Sequence, residues 1–303
     1  MKLRRMKAKD FRTDRRRAFL LADLLTAILL FSLAALFLFF PIKGYARIFY
    51  EERDRFAAEQ RAASAVSKIR FAALYSGLGM RNGEEYKNAF FPNSGQPFTW
   101  SGPAAVSKGL LMPEASELRL AYAFPAGARA AMDAVAQAGR VEVTLSQEPA
   151  ADYFEINTKA TKGWVLFSHS GTGRPLYITA KRGRRLTLGS REESAFQISR
   201  GDRLYLFRAA KFYAVSGIMY MKDFRTTGDQ PVENGIEDLR FKIEDNLLHI
   251  FILARGEDLK LKSNEGLQDE MDNWPKEFVP RKTSTACRLY SFHETLRLPN
   301  LRD

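Results

Sequence analysis

Cysteine is nearly absent: Cys287 is the single one among 303 residues, so no disulfide forms within the chain, although two chains could still be joined through it. Histidine is almost as scarce. His169, His249 and His293 are the three, and none stands at metal-ligand spacing from another histidine, a cysteine or a carboxylate pair. His249 alternates with Leu248 and Ile250, the pattern of a residue on one face of a strand. His169 lies between Ser168 and Ser170, but neighbours along a strand point to opposite faces, which argues against a serine nucleophile with an adjacent histidine base. The glycine-rich run Gly171-Thr172-Gly173-Arg174 lacks the Gly-Lys-Ser/Thr ending of a phosphate loop and precedes no predicted helix, so it reads as a turn. On these grounds no catalytic residue, metal or cofactor is expected.

Acidic residues are also in deficit, with 35 Asp and Glu against 47 Lys and Arg, a formal charge of +12. That balance invites a nucleic-acid reading. Residues 1–17, however, hold nine Lys or Arg and two Asp, which is +7 of the total and leaves +5 for everything after them. The excess, ending in Arg15-Arg16-Arg17, is a topogenic signal that keeps the N-terminus in the cytoplasm and sends the C-terminal bulk outward. No nucleic-acid partner is expected. A second basic cluster, Lys181-Arg182-Gly183-Arg184-Arg185, reads first as a solvated hairpin turn that could still touch lipid headgroups or an acidic partner.

Charge is missing altogether from Ala18 to Phe40 but for one residue, Asp23. Those 23 residues suffice to cross the roughly 30 Å hydrocarbon layer at about 1.5 Å per residue. A carboxylate inside such a segment costs about 2.5 to 3.5 kcal/mol at the bilayer centre and less towards its edge, so it needs a partner or a function. The plainer account is an interfacial residue near a helix N-terminus, where the macrodipole favours negative charge. No Ala-x-Ala cleavage site closes the apolar run, and the small residue Ala18 comes before it rather than after, unlike an ordinary secretory signal.

A basic leader, a small residue, Phe19 and an acid four positions on resemble the class III signal of type IV prepilins and pseudopilins. Ala18 stands where that family usually has Gly, and Asp23 where it has Glu. The resemblance implies cleavage between Ala18 and Phe19 by a prepilin peptidase, methylation of the new Phe19 amine, and pairing of Asp23 with the N-terminal amine of a neighbouring subunit.

Pro41 ends the apolar run and is expected to bend the helix or mark its exit from lipid, as a kinking proline does at nearly this distance in major pilins. No proline follows from Ile42 to Ser76, and Phe49, Phe56, Ala63, Val66, Ile69 and Ala73 recur at three- and seven-residue steps, predicting an amphipathic continuation stopped by Gly77 and Gly79. Fully helical, residues 19–76 would extend about 87 Å.

Beyond the helix the period changes. Lys87 to Pro113, with Pro92, Pro97 and Pro103, reads as a loop-rich crossing, and Ala128 to Gln137 as a short helix. Strands are predicted at 118–124, 141–145, 164–167, 176–180, 185–188, 195–198, 204–207, 212–215, 218–221, 239–243, 247–253 and 289–298, with a long surface excursion over 263–280. Several of these runs are similar to the PilW/PulJ branch of minor pilins and pseudopilins. They are Gly201-Asp202-Arg203-Leu204-Tyr205-Leu206, Gly217-Ile218-Met219-Tyr220-Met221, Gly235-Ile236-Glu237-Asp238-Leu239-Arg240-Phe241 and Thr295-Leu296-Arg297-Leu298-Pro299-Asn300-Leu301, with Ser67-Lys68-Ile69-Arg70-Phe71-Ala72 in the long helix.

The expected architecture is α+β: a leader at 1–18, a transmembrane helix at 19–41, an extended amphipathic helix at 42–76 and an antiparallel β-rich head at 77–303, in two small sheets. The resemblance implies a single-pass inner-membrane subunit with its head outside the cytoplasm, incorporated into a pilus or pseudopilus. Its partners would be the prepilin peptidase, other pilins or pseudopilins through the N-terminal helix, and an inner-membrane assembly platform. The alternative is an uncut signal-anchored protein whose head binds a ligand or envelope component, and a more distant one is a membrane-tethered hydrolase.

Overall fold

The computed structural model describes residues 6–80, 104–107, 114–137, 139–149, 163–168, 173, 175–190, 195–223, 228–257, 269–281 and 287–301, with side chains from Leu20 onward except that of Arg47. It has an α+β layout: one long N-terminal helix, α1 (Met6–Leu74), followed among the described residues by fourteen strands paired almost entirely antiparallel. The chain divides into two compact units, Met1–Asp54 and Arg55–Asp303.

The first unit is the helix alone. From Leu20 to Phe40 its large apolar side chains are 46% to 77% exposed. It is long and apolar enough to cross a membrane. Pro41 lies inside α1, which runs through it without a break.

The second unit has two cores that share strands β2 (Glu117–Arg129) and β9 (Arg203–Val215). These pair along their length, from Glu117↔Tyr213 to Arg129↔Arg203 with an irregularity after Pro125. Leu118, Leu120, Ala210 and Phe212, on one half of the inner face, pack on α1 together with Leu239, Phe241, Ile250, Ile252 and Leu296 of a three-stranded sheet. That sheet runs β12 (Ile236–Glu244), β13 (Leu247–Arg255), β14 (Leu289–Arg297), with nine unbroken pairs between β13 and β14.

α1 presents Ala58, Ala62, Ala65, Val66, Ile69, Ala72 and Ala73 to this core, all buried. Five alanines let the helix backbone lie close on the sheets, and volume comes from the strands instead. The seven-residue line beginning at Phe49 is therefore not the buried face: Phe49 and Phe56 are 64% and 66% exposed, and Ala63 is exposed as well. The helix stops where glycine was expected to stop it. Gly77 adopts φ +77°, and a Cβ there would fall 2.7 Å from the Asn300 carbonyl oxygen. Asn300 Nδ2 donates to the Leu74 carbonyl at 3.0 Å, satisfying a group the helix end leaves free. Arg61 reaches across to the carbonyls of Arg255 (2.6 Å) and Gly256 (2.8 Å), and its side chain occupies the space a Cβ on Gly235 would need.

The other half of β2 and β9 begins a small barrel. Besides β2, β9 pairs with β5 (Trp164–Ser168), and the sheet continues through β6 (Leu176–Arg182) and β7 (Arg185–Gly189) to β4 (Arg140–Thr144). β4 then returns to the end of β2 through the Ala130↔Leu145 bridge, with Ala131 N donating to Thr144 O and Ser146 N to Arg129 O, both at 2.8 Å. Val143, Leu145, Val165, Phe167, Leu186, Leu188 and Leu204 fill the interior. The C-terminal half of β9 pairs instead with β10 (Ile218–Asp223), which carries β11 (Gln230–Asn234), and β1 (Ala104–Ser107) flanks β2. The principal sheet thus has nine strands, larger than either of the two small sheets expected.

One local expectation is corrected. Residues 128–137 form no helix: Ala128 and Ala130, then Ala134 and Ala136, are buried in pairs two residues apart, and β3 (Ala134–Val135) pairs with β8 (Gln197–Ile198). Barrel packing overrides the helix propensity of alanine here. The described part of the 263–280 excursion is largely exposed, as expected, but is pinned by Trp274, which is buried with Leu253 and Leu289 and whose Nε1 donates to the Phe278 carbonyl at 2.8 Å.

Because α1 from Ala58 to Ala73 belongs to the head's core, a fragment beginning at Arg55 is expected to fold and one beginning at Gly77 to lose the core's helical wall. Circular dichroism and urea melts of the two fragments check this. Ala65→Leu, which forces extra volume into a close helix–sheet contact, is expected to cost about 1–3 kcal/mol, and Ile69→Ala about 2–4 kcal/mol through the cavity it leaves.

Candidate functional site

Asp23 lies in the exposed apolar part of α1. The hydroxyls near it are satisfied on the helix itself: Thr26 Oγ1 donates to the carbonyls of Ala22 (2.6 Å) and Asp23 (3.1 Å), and Ser32 Oγ to that of Ile28 (2.7 Å). The Asp23 carboxylate, by contrast, has no partner among the described residues. A carboxylate on a lipid-compatible surface with none among the described residues would be stabilised by a cation brought to it. Arg15, Arg16, Arg17, Ala18 and Phe19 are helical in the same α1, their side chains outside the described set. Exposed apolar surface does not end at Pro41 but continues through Ile42, Tyr45, Ile48 and Phe49.

In the head the residues singled out by sequence are mostly framework. Arg240 is among the largest fully buried side chains. It is paired with Asp238 at 3.0 Å and donates to the carbonyls of Glu114 (2.6 Å) and Val279 (3.2 Å). Arg281 N donates to Asp238 Oδ2 at 2.8 Å, the oxygen that Arg240 Nη2 also holds, so this pair ties two loops to β12. Burial raises the Asp238 carboxyl above the ordinary carboxylate range, opposed by the bonds from Arg240 and the backbone. Asp202 is buried in the turn entering β9, where its carboxylate accepts from Ser199 N at 2.9 Å.

His249 and His293 meet across β13 and β14 with Nδ1 and Nε2 3.2 Å apart, beside Thr295 Oγ1. Burial, and then the neighbouring His249, hold His293 below the ordinary histidine value. Among the described residues no three His, Cys, Asp or Glu side chains gather as a metal site. His169 lies outside the described residues, as does most of Gly171–Arg174. A groove of about 420 Å³ runs between α1 and β14, lined by Glu59, Val66, Arg70, Asn273, Phe292 and Glu294, with Arg70 and Glu294 paired across it at 2.9 Å. Cys287 is buried.

One polar cluster was not anticipated. Tyr122 and Arg208 are strand partners under the end of α1, and Asp223 sits 3.6 Å from Arg208. Burial pushes the Asp223 carboxyl up to about 6, against the pull of Arg208. Burial, then Asp223, pushes the Tyr122 hydroxyl up to about 12. No spacing in sequence joins these three residues; only the β2–β9–β10 register does. None of them lines the groove.

No protein-family model matches the chain, and no curated protein matches it either.

Asp223 generates a pH prediction. Between about pH 4 and pH 6 the folded carboxyl keeps its proton while the unfolded one has lost it, so this residue's contribution to stability falls as pH rises through that window and stays low above it. Asp223→Asn is expected to be more stable than wild type at pH 7.5 by about 1–2 kcal/mol, the shift being partly offset because Arg208 loses its partner. The advantage is expected to shrink towards pH 4, as read by urea melts at both pH values.

Proposed function

We propose that the chain is a minor pilin or pseudopilin of the PilW/PulJ-like branch, which primes or caps a type IV pilus or the pseudopilus of a secretion-like machine. The observation that carries the reading is Asp23: a lone carboxylate on an exposed apolar helix, four residues past Phe19 and without a partner among the described residues. Its complement would be the methylated amine of an adjacent subunit's Phe19, which removes most of the cost of the charge and sets axial register between helices. Supporting it are the order of basic leader, small residue and aromatic, the helix long enough to span a membrane, and a β-rich unit whose core includes the helix's later turns. In this reading the chain works by assembly, through its helix against those of other subunits at the inner-membrane platform, with the head outside the cytoplasm.

In cells with the cognate peptidase the mature protein is expected to begin at N-methyl-Phe19, by mass analysis of the N-terminus. Ala18→Gly is expected to be processed at least as well as wild type, and a bulky residue at that position to block cleavage. Persistence of the intact leader alone would instead favour a signal-anchored protein.

Asp23→Ala is expected to insert in the membrane as well as wild type or slightly better, since a costly charge leaves the apolar segment, yet to fail in assembly. Asp23→Glu should retain function and Asp23→Asn should lose most of it. The assay is filament or secretion output at matched membrane abundance, and full activity of Asp23→Ala would sink the pairing.

A further inference from the structure

One end of the barrel is ringed with arginine. β2 ends there, β9 begins there, β4 runs out there, and the hairpin between β6 and β7 turns there. Strand register fixes the row: Arg182 pairs with Arg185, Arg185 with Thr144, and Arg129 with Arg203. The hydrogen bonds of Ala131 to Thr144 and of Ser146 to Arg129 join the two pairs across the barrel seam.

Leu186, Leu204, Ala128, Ala130 and Leu145 point into the barrel, so their neighbours Arg185, Arg203, Arg129 and Ser146 stand on the outside, and the arginines are exposed. Strands about 4.8 Å apart place four arginines across a span of roughly 19 Å. Like charges directly opposed on neighbouring strands are destabilising, and Arg129 opposes Arg203. Among the described residues the acidic relief is slight: Glu142 is 3.9 Å from Arg185, with both side chains well exposed.

Beside Arg129 the chain exposes an apolar side chain, Met132 (55%), on a turn whose Asp133 accepts from Arg200 N at 2.6 Å. We propose that this end of the head is a docking surface for an anionic phospholipid bilayer, with Arg129, Arg182, Arg185 and Arg203 on the headgroup phosphates and Met132 entering the interface. Basic residues beside exposed apolar ones are what such a surface rewards, each cation adding electrostatic attraction and each apolar side chain burying area. Nucleic acid is the weaker fit, because the aromatic rings of the barrel's outer face, Trp164, Tyr205 and Phe207, belong to a packed cluster and offer no platform for bases. The hairpin arginines legible in sequence are thus half of a site whose other half comes from β2 and β9.

The test uses residues 55–303, which carry their own core, with sonicated vesicles of phosphatidylglycerol in phosphatidylcholine and vesicles of phosphatidylcholine alone. The fragment is expected to co-sediment with the anionic vesicles only, and to be released as salt rises from about 0.05 to about 0.5 M. Arg129→Gln with Arg203→Gln should weaken partitioning by about tenfold or more. Met132→Ser should weaken it severalfold. Arg140→Gln, an exposed arginine at the opposite end of β4, should leave it unchanged. Thermal melts guard against misfolding, and the double variant should melt no lower than wild type because it relieves the Arg129–Arg203 repulsion. Three results would overturn the proposal: no binding to anionic vesicles at low salt, equal loss in Arg140→Gln, or duplex DNA binding tighter than vesicle binding and indifferent to Met132→Ser.

Discussion

The close contact between the alanine face of α1 and the sheets is the constraint on which the head depends. Ala58, Ala62, Ala65, Ala72 and Ala73 contribute little area of their own; what they supply is nearness, which lets Ile69 and Val66 reach strands of both sheets at once. Large side chains at those positions would hold the helix off and open the space between the nine-stranded and three-stranded sheets. The polar contacts around the helix follow from the same closeness. Arg61 can reach the carbonyls of residues 255 and 256, and Asn300 can bond the last turn, because nothing bulky separates them.

Much of this layout was legible. The twelve predicted strands all fall on or within one residue or two of observed ones, because buried positions alternate along some, such as β4, and form short continuous apolar runs in others, such as β5 and β12. Predicted 204–207 and 212–215 proved to be halves of β9, since Arg208 and Lys211 interrupt the apolar pattern without interrupting the ladder. β1 and β11 were missed because Ala104–Ser107 follows a proline-rich stretch and β11 contains Pro231, both features that ordinarily argue against a strand. Of the face predicted for α1, Val66, Ile69 and Ala73 are buried while Phe49, Phe56 and Ala63 are exposed; the buried alanines at 58, 62, 65 and 72 escaped notice because small residues give little apolar signal, yet a tight helix–sheet contact puts them inside.

The sites divide along the same line. Asp23 is visible in sequence because a single charge contrasts with its apolar neighbours. The Tyr122, Arg208 and Asp223 cluster and the arginine row are invisible there, since they are made by register between segments far apart in the chain. What sequence showed of the second was only the hairpin turn, a fragment indistinguishable from any solvated loop.

The bond from Asn300 to the end of α1 joins residues 226 positions apart. β14, whose Leu296 packs in the same core as Ile69, closes a loop of similar length. Contacts that distant are entropically expensive and form late. During synthesis the alanine face of the helix therefore emerges long before the strand that covers it, and the head cannot complete its core until the chain is nearly finished. Folding of this unit is completed only after synthesis, and for that interval an apolar helix face and unpaired strands are open to whatever holds nascent chains.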